Sequence, residues 1–410
     1  MPIKLSSLSE FSKIRAAIFP IHTHEFKKFL PMVLIMMCIL FNYSILRSTK
    51  DALIATADGA GIEAIPYLKS IFVMTSAAFF VILYTKLSNI FSLEKLFYIF
   101  TSIFIVFFII FAFLIYPNTD TLHSQLSIVQ AWQSEFPRFK FLFSVWGIWT
   151  YSLFYVMSEL WGSVMIPLLF WQFANQITHT SEAKRFYPMF ILFGNVALIF
   201  SGMSMKFLCN VHEHLPNTID TWGGSLKGLM VLIATMGIIA ILAFRWTYKN
   251  VLSDTRYYNV AESKKVMNTK FKMGMLESFK HIASNRYIGL IALLILCYSI
   301  SINLVELIWK KQVALWYMGD AGGYNNFMGR YVTWTGIGTI TIVFLTKGVI
   351  NKFGWLMGAI ATPVVLTISG LMFFALILIG DLLVPLLTSV AIPALPGYGS
   401  WYGAKHTYQR

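Results

Sequence analysis

Three ionisable residues lie where charge is expensive. Glu159 sits in the run Tyr155-Val156-Met157-Ser158-Glu159-Leu160-Trp161-Gly162, with apolar residues extending well beyond it on both sides. Glu306 sits in Asn303-Leu304-Val305-Glu306-Leu307-Ile308-Trp309, toward the outer end of a second apolar stretch. Lys50 follows a third, in Ile45-Leu46-Arg47-Ser48-Thr49-Lys50-Asp51, with Arg47 one turn earlier. Asn42 and Asn303 add amides to two of these stretches. An isolated charge in an apolar medium costs several kcal/mol, so such groups face a polar cavity or one another. Two chemistries fit. The acids pair with basic residues across helices and fix packing, or they line the path of a charged solute. For Arg47 and Lys50 there is a third reading, simple anchoring at a span end.

Other chemistries lack their motifs. No phosphate loop of the G-x-x-x-x-G-K-S/T kind occurs, which argues against P-loop nucleotide hydrolysis. Gly322-Gly323 and Gly397-Tyr398-Gly399 read as turn glycines. His212, Glu213 and His214 read as a polar loop rather than a metal site, and no metal or cofactor is expected. Cys38, Cys209 and Cys297 are isolated thiols without a pairing pattern. No pore-like motif argues for a channel. A membrane-embedded enzyme would need a nucleophile and a base together at depth, and only isolated acids are present. The remaining class is a secondary transporter.

The elements that must position these residues follow from composition. The 410-residue chain is 57% hydrophobic and only 12% charged, and its mean hydropathy is +0.67. A soluble domain carries about 25% charged residues, so too little polar surface remains to cover a water-soluble fold. Disorder is excluded by the same numbers. The expectation is an all-α multi-spanning membrane protein in the lipid bilayer. Spans are expected at 29–45, 66–84, 96–116, 141–170, 187–208, 225–246, 286–309, 327–350 and 354–379. A shorter apolar segment covers 382–395. The 141–170 stretch exceeds one upright span and reads as a single tilted helix bent near Gly162 and Pro167. The polar stretch 117–140 reads as a loop.

The excess of 32 Lys and Arg over 18 Asp and Glu would point to nucleic acid in a soluble protein. Here it matches the basic bias of cytoplasmic loops, and no nucleic-acid partner is expected. The lead 1–28 and the segments 86–95, 178–187 and 247–285 are basic. The intervening 51–64, 117–140 and 209–224 are poorer in Lys and Arg. This alternation puts the N-terminus in the cytoplasm, with no secretory signal peptide. Domains are therefore expected as a lead (1–28), a first six-helix bundle (29–246), a basic linker (247–285), an incomplete second bundle (286–395) and a divergent tail (396–410). Short matches hint at an internal repeat: Tyr43-Ser44-Ile45 with Tyr298-Ser299-Ile300, and Thr85-Lys86 with Thr346-Lys347.

Several runs in one order carry a resemblance. They are Tyr43 to Asp51, Ala64-Ile65-Pro66-Tyr67-Leu68-Lys69, Tyr84 to Asn89, Ser158 to Ser163, Phe170 to Gln176, Glu182 to Pro188, Asn303 to Glu306, and Trp309-Lys310. Together they resemble the ATP/ADP translocase family of intracellular bacteria and plastids, over roughly residues 29 to 390. The resemblance implies a twelve-span, two-bundle fold of the major-facilitator type. It implies ATP and ADP as transported substrates, exchanged across a bacterial inner membrane. Alternatives within the family are other nucleotides or proton symport. The family's critical charges fall on Lys50, Glu159 and Glu306, the positions singled out above. A further family Lys lies in a C-terminal run that is missing here, and Lys405 is its only loose counterpart.

A mechanism follows as an expectation. Lys50, joined by Arg47 and Lys69, meets the phosphates. Trp161, Trp149 or Tyr43 stacks on the adenine. Glu159 and Glu306 hold the basic residues in one state and release them in another. The chain is expected to act as a monomer. Nine spans and a fragment stand against the implied twelve. This reads as a C-terminally shortened member, and a membrane protein that binds nucleotide without transporting it is the alternative.

Overall fold

The computed structural model describes residues 19–213, 220–252, 280–281, 284–317, 319–353, 360–361 and 363–375. Regular structure among the described residues is helical, and no strand occurs. The main helices are α1 (Phe26–Ala55), α2 (Ile62–Ser88), α3 (Leu93–Leu122), α4 (Leu126–Glu135), α5 (Lys140–Gly147), α6 (Trp149–Ile177), α7 (Thr180–Glu213), α8 (Thr221–Asn250), α9 (Arg286–Trp316), α10 (Ala321–Phe353) and α11 (Pro363–Ala375). Among the described residues seven helices are long and apolar enough to cross a membrane: α1, α2, α3, α6, α7, α8 and α9. α10, 33 residues long, contains the stretch expected as a span at 327–350. Of the last expected spans, only the short α11 is described, and 382–395 lies outside the described residues.

The described chain forms two compact units. One comprises Met1–Leu294 with Tyr317–Ile340, and the other Ile295–Trp316 with Thr341–Arg410. In the first, α1 is the most enclosed of the membrane-length helices. It packs against α6, α7 and α8. A phenylalanine ridge on α3 (Phe97, Phe100, Phe104, Phe108, Phe111) is buried. Its members meet Phe154 and Trp161 of α6 and Phe244 of α8. They recur at helical three- and four-residue spacing, the stripe that makes one helix face. Ile103, Val106, Ile110 and Leu114 on the same helix are exposed. Both faces are apolar because the outer one is suited to lipid.

Four stretches depart from the sequence expectation. α1 was expected to end at Ile45, but it continues to Ala55. Nothing in Leu46–Ala55 breaks a helix; the break comes at Gly59 and Gly61, which adopt φ of +73° and +128°. The expected loop at 117–140 contains α4, whose Val129 packs against Gly147, where a Cβ would come 2.8 Å from a Val129 methyl. The expected single helix at 141–170 is two, broken at Ile148 (φ −108°, ψ 41°). The bend in α6 is a π-helical segment, Met165–Trp171, which contains Pro167. Proline lacks the donor for the usual bond, so the ladder shifts register there. Gly162 lies instead in regular helix. Finally, α7 runs to Glu213, so helix reaches into the stretch expected as a His-rich loop.

Within the first unit the start of α10 lies directly on α7. A Cβ on Gly202 would come within 2.5 Å of the Gly329 carbonyl oxygen, and one on Gly336 within 3.0 Å of the Asn195 carbonyl oxygen. Backbones this close are the membrane use of small residues. A buried Asn326 amide donates to Asn210 across the same seam. Gly202→Leu is therefore expected to destabilise the purified protein by about 1–3 kcal/mol in detergent thermal unfolding. Gly338→Leu, where a Cβ meets nothing within 4 Å, should leave the transition unchanged.

Candidate functional site

Lys50 lies inside α1, not beyond its end, and is 3% exposed. Its ammonium donates to Asp51 Oδ1 at 2.8 Å. It also forms an ion pair with Glu159 Oε1 of α6 at 3.0 Å. The Tyr155 ring closes a third side, with the ammonium 3.8 Å from the ring centroid. Tyr155 precedes Glu159 by four residues, so the two project from one face of α6. Asp51 is 1% exposed, whereas the Glu159 side chain retains 23% of its exposure. The open side of the cluster is therefore at Glu159.

Lys69 of α2 is close enough to act electrostatically on Glu159. It sits in a π-helical segment, Leu68–Val73. Two lysines thus meet two carboxylates, and the cluster is balanced in charge. Arg47 is exposed on α1, one turn before Lys50.

Two further candidates hold the frame. Asn42 is fully buried and donates to the Ile233 carbonyl of α8 at 2.9 Å. Trp161 is 1% exposed. Its indole N–H donates to the Ile39 carbonyl of α1 at 3.2 Å, and its ring packs edge-on to Phe104. One residue on, Gly162 gives the Tyr43 ring room, since a Cβ there would come within 2.5 Å of it. Trp149 is exposed and donates to the Leu122 carbonyl at 2.8 Å.

Glu306 lies in the second unit, on α9. It accepts from Lys310 Nζ at 2.5 Å, one turn along the same helix. The pairing is intrahelical, with the acid on the N-terminal side, the better orientation for such a pair. Asn303 donates to the Ser299 carbonyl of its own helix at 2.8 Å. Lys405 lies outside the described residues.

Asp51 and Tyr155 were missed as site residues. Asp51 was assigned to a loop because hydropathy falls at Arg47, although no helix breaker follows. Tyr155 was one aromatic among many, and its four-residue spacing from Glu159 was the available signal. Also missed was a second ion network. Arg185 of α7 holds Glu25 through two bonds, at 2.5 and 2.7 Å, and Lys28 donates to Glu182 at 2.7 Å. Glu25 and Lys28 are 4% and 1% exposed. These pairs tie the start of α1 to the start of α7.

Apolar helices of membrane-crossing length, with a buried ion cluster between two of them, define a multi-pass helical membrane transporter. The chain belongs to the TLC ATP/ADP transporter family, which it matches over residues 5–395. It is 43% identical over 370 residues to ADP,ATP carrier protein 1 of Chlamydia pneumoniae, covering 90% of this chain and 72% of the relative. It is 41% identical over 377 residues to ADP,ATP carrier protein 3 of Rickettsia conorii, covering 90% and 74%. ADP,ATP carrier protein 1, chloroplastic, of Arabidopsis thaliana is 42% identical over 378 residues, covering 92% and 59%. No solved structure matches the chain.

The burial pattern orders the effects of substitution. Asp51→Asn removes a fully enclosed partner and should cost about 3–5 kcal/mol. Glu159→Gln removes a partly solvated one and should cost less. Detergent thermal unfolding of the two variants checks this ranking. Equal losses would contradict it.

Proposed function

We propose that this protein exchanges ATP for ADP across a bacterial inner membrane, and that Lys50 is its central phosphate-binding cation. The observation that carries the reading is the Lys50 ammonium held between Asp51 and Glu159, with Glu159 on the open side. The relatives named as ADP,ATP carriers support the substrate pair.

Both nucleotides are polyanions, and a phosphate needs cations and N–H donors in place of water. Lys50 is buried and already charged, so its cost of desolvation is met before substrate arrives. A phosphate entering from the Glu159 side competes with that carboxylate for the ammonium. Lys69 and Arg47 supply further positive charge on the approach. Glu159 does not touch phosphate, because like charges repel. It holds Lys50 when the site is empty and gives it up when substrate binds. Such a swap gives the two states a difference in interaction energy, which a ligand-driven transition requires. On α9, Glu306 holds Lys310 within one helix, and it is assigned the same holding-and-release role. Trp161 positions α6 on α1, and Tyr43 or Trp149 stacks on the base.

The bundle frame belongs to the same proposal. Residues 29–246 form the first bundle, 247–285 a cytoplasmic linker, and the residues from 286 onward belong to the second bundle. The N-terminus is cytoplasmic, which the basic segments support. Exchange driven by opposed nucleotide gradients needs no cofactor.

Uptake of labelled ATP by bacterial cells expressing the chain tests the reading. Excess external ADP should suppress uptake. Lys50→Ala should lower the initial rate about tenfold to a hundredfold, the effect of losing one charged contact. Lys50→Arg should retain more. Uptake indifferent to ADP, or unchanged in Lys50→Ala, would overturn it.

A further inference from the structure

A cavity of about 410 Å³ opens in the first unit, where α1, α3 and α6 meet the turns beside them. Its lining holds Asp58, Asp120, His123, Tyr116, Tyr151 and Trp222, and neither Lys nor Arg. That is a local reversal of sign in a chain whose net charge is +14. Asp220, the cap of α8, adds a third carboxylate that acts on Tyr116 and Tyr151. Burial holds the His123 imidazole below its usual range, against the pull of Asp120, so it brings no positive charge at neutral pH. Its Nε2 is 2.6 Å from the Thr150 hydroxyl, and its ring meets Tyr151 edge-on at 4.7 Å. The Tyr116 and Tyr151 rings lie nearly parallel, 6.2 Å apart. The buried Trp222 indole N–H has no hydrogen-bond partner among the described residues.

We infer that this cavity binds a small organic ammonium ion. A polyphosphate would meet carboxylates here and no cation, so the cavity is distinct from the nucleotide site around Lys50. A metal ion is the poorer fit. Among the described residues no three His, Cys, Asp or Glu side chains gather as ligands would. Carboxylates near a wall of two phenols and an indole suit a large, weakly hydrated cation, which gains from both ion pairing and the π faces. A sodium ion, compact and strongly hydrated, gains little from such a wall.

The test titrates the purified full chain in detergent with tetramethylammonium chloride by calorimetry, with sodium chloride at matched ionic strength as reference. Saturable binding of tetramethylammonium alone is expected. It should weaken about tenfold or more in the Asp58→Asn/Asp120→Asn double variant, which removes the charged contacts. It should persist in Glu94→Gln, a carboxylate at the opposite end of α3. In the wild-type chain, tetramethylammonium should also slow carbodiimide labelling of Asp58 and Asp120. This second readout does not depend on whether the double variant folds. Absence of saturation, the same saturation with sodium, or labelling indifferent to tetramethylammonium would overturn the inference.

Discussion

A lysine ammonium cannot be taken from water unless its charge is answered at close range. In this protein the answer to Lys50 comes from Asp51 on the same helix and Glu159 on the facing one. Much of the first unit follows from keeping those two helices in register. Trp161 bonds the Ile39 carbonyl, and Gly162 lets Tyr43 approach, so α6 is fixed on α1 just beyond Glu159. Asn42 ties the other side of α1 to α8. The Phe ridge of α3 closes behind Trp161. Below the clamp, the π segment around Pro167 interrupts the regular ladder of α6. One partner is nearly inaccessible and the other is partly solvated. The clamp is therefore asymmetric, enclosed toward Asp51 and partly solvated toward Glu159.

Charge is divided between the two ends of α1. At its start, Glu25 and Lys28 are locked into pairs with Arg185 and Glu182. Beyond its end, the cavity beside Asp58 and Asp120 carries carboxylates and aromatic rings with no Lys or Arg. Two of the basic residues that give the 1–28 and 178–187 segments their positive charge are thus also structural. Their partners lie in the same segments, so the ion pairs and the topology signal share residues. The first end resists fraying through buried pairs, and the second presents an open anionic surface.

The helical class was legible because a membrane span must satisfy its own backbone and so announces itself as a long apolar run. Glu159 and Lys50 were legible for the converse reason, since a charge in such a run is costly. The ends of helices were not. Polar residues at 46–55, 119–122 and 126–135 lower the hydropathy although the backbone there is helical. Helices extend past the apolar zone, and α1 ends only ahead of the positive-φ glycines Gly59 and Gly61. Which face of α3 turns inward was also hidden, because lipid and protein interior are equally apolar. Ile103 and Phe104 differ in burial although both are strongly apolar. Asp51 falls in the 51–64 segment expected between spans because α1 is expected to end at Ile45, whereas the helix continues to Ala55. The partner of Glu306 is Lys310, one turn away on its own helix. That spacing could be read from the sequence, whereas the partner of Glu159 could not.

The claim at the centre is that substrate phosphate and Glu159 compete for one ammonium. The most direct measurement is the affinity of purified protein for labelled ATP in detergent, wild type against Glu159→Gln. The glutamine keeps the shape but gives up the charge that holds Lys50. Competition predicts tighter ATP binding by Glu159→Gln than by wild type, together with slower exchange in liposomes because the return of Lys50 is no longer driven. Equal or weaker ATP binding by Glu159→Gln, in protein that is still folded at the assay temperature, would contradict it.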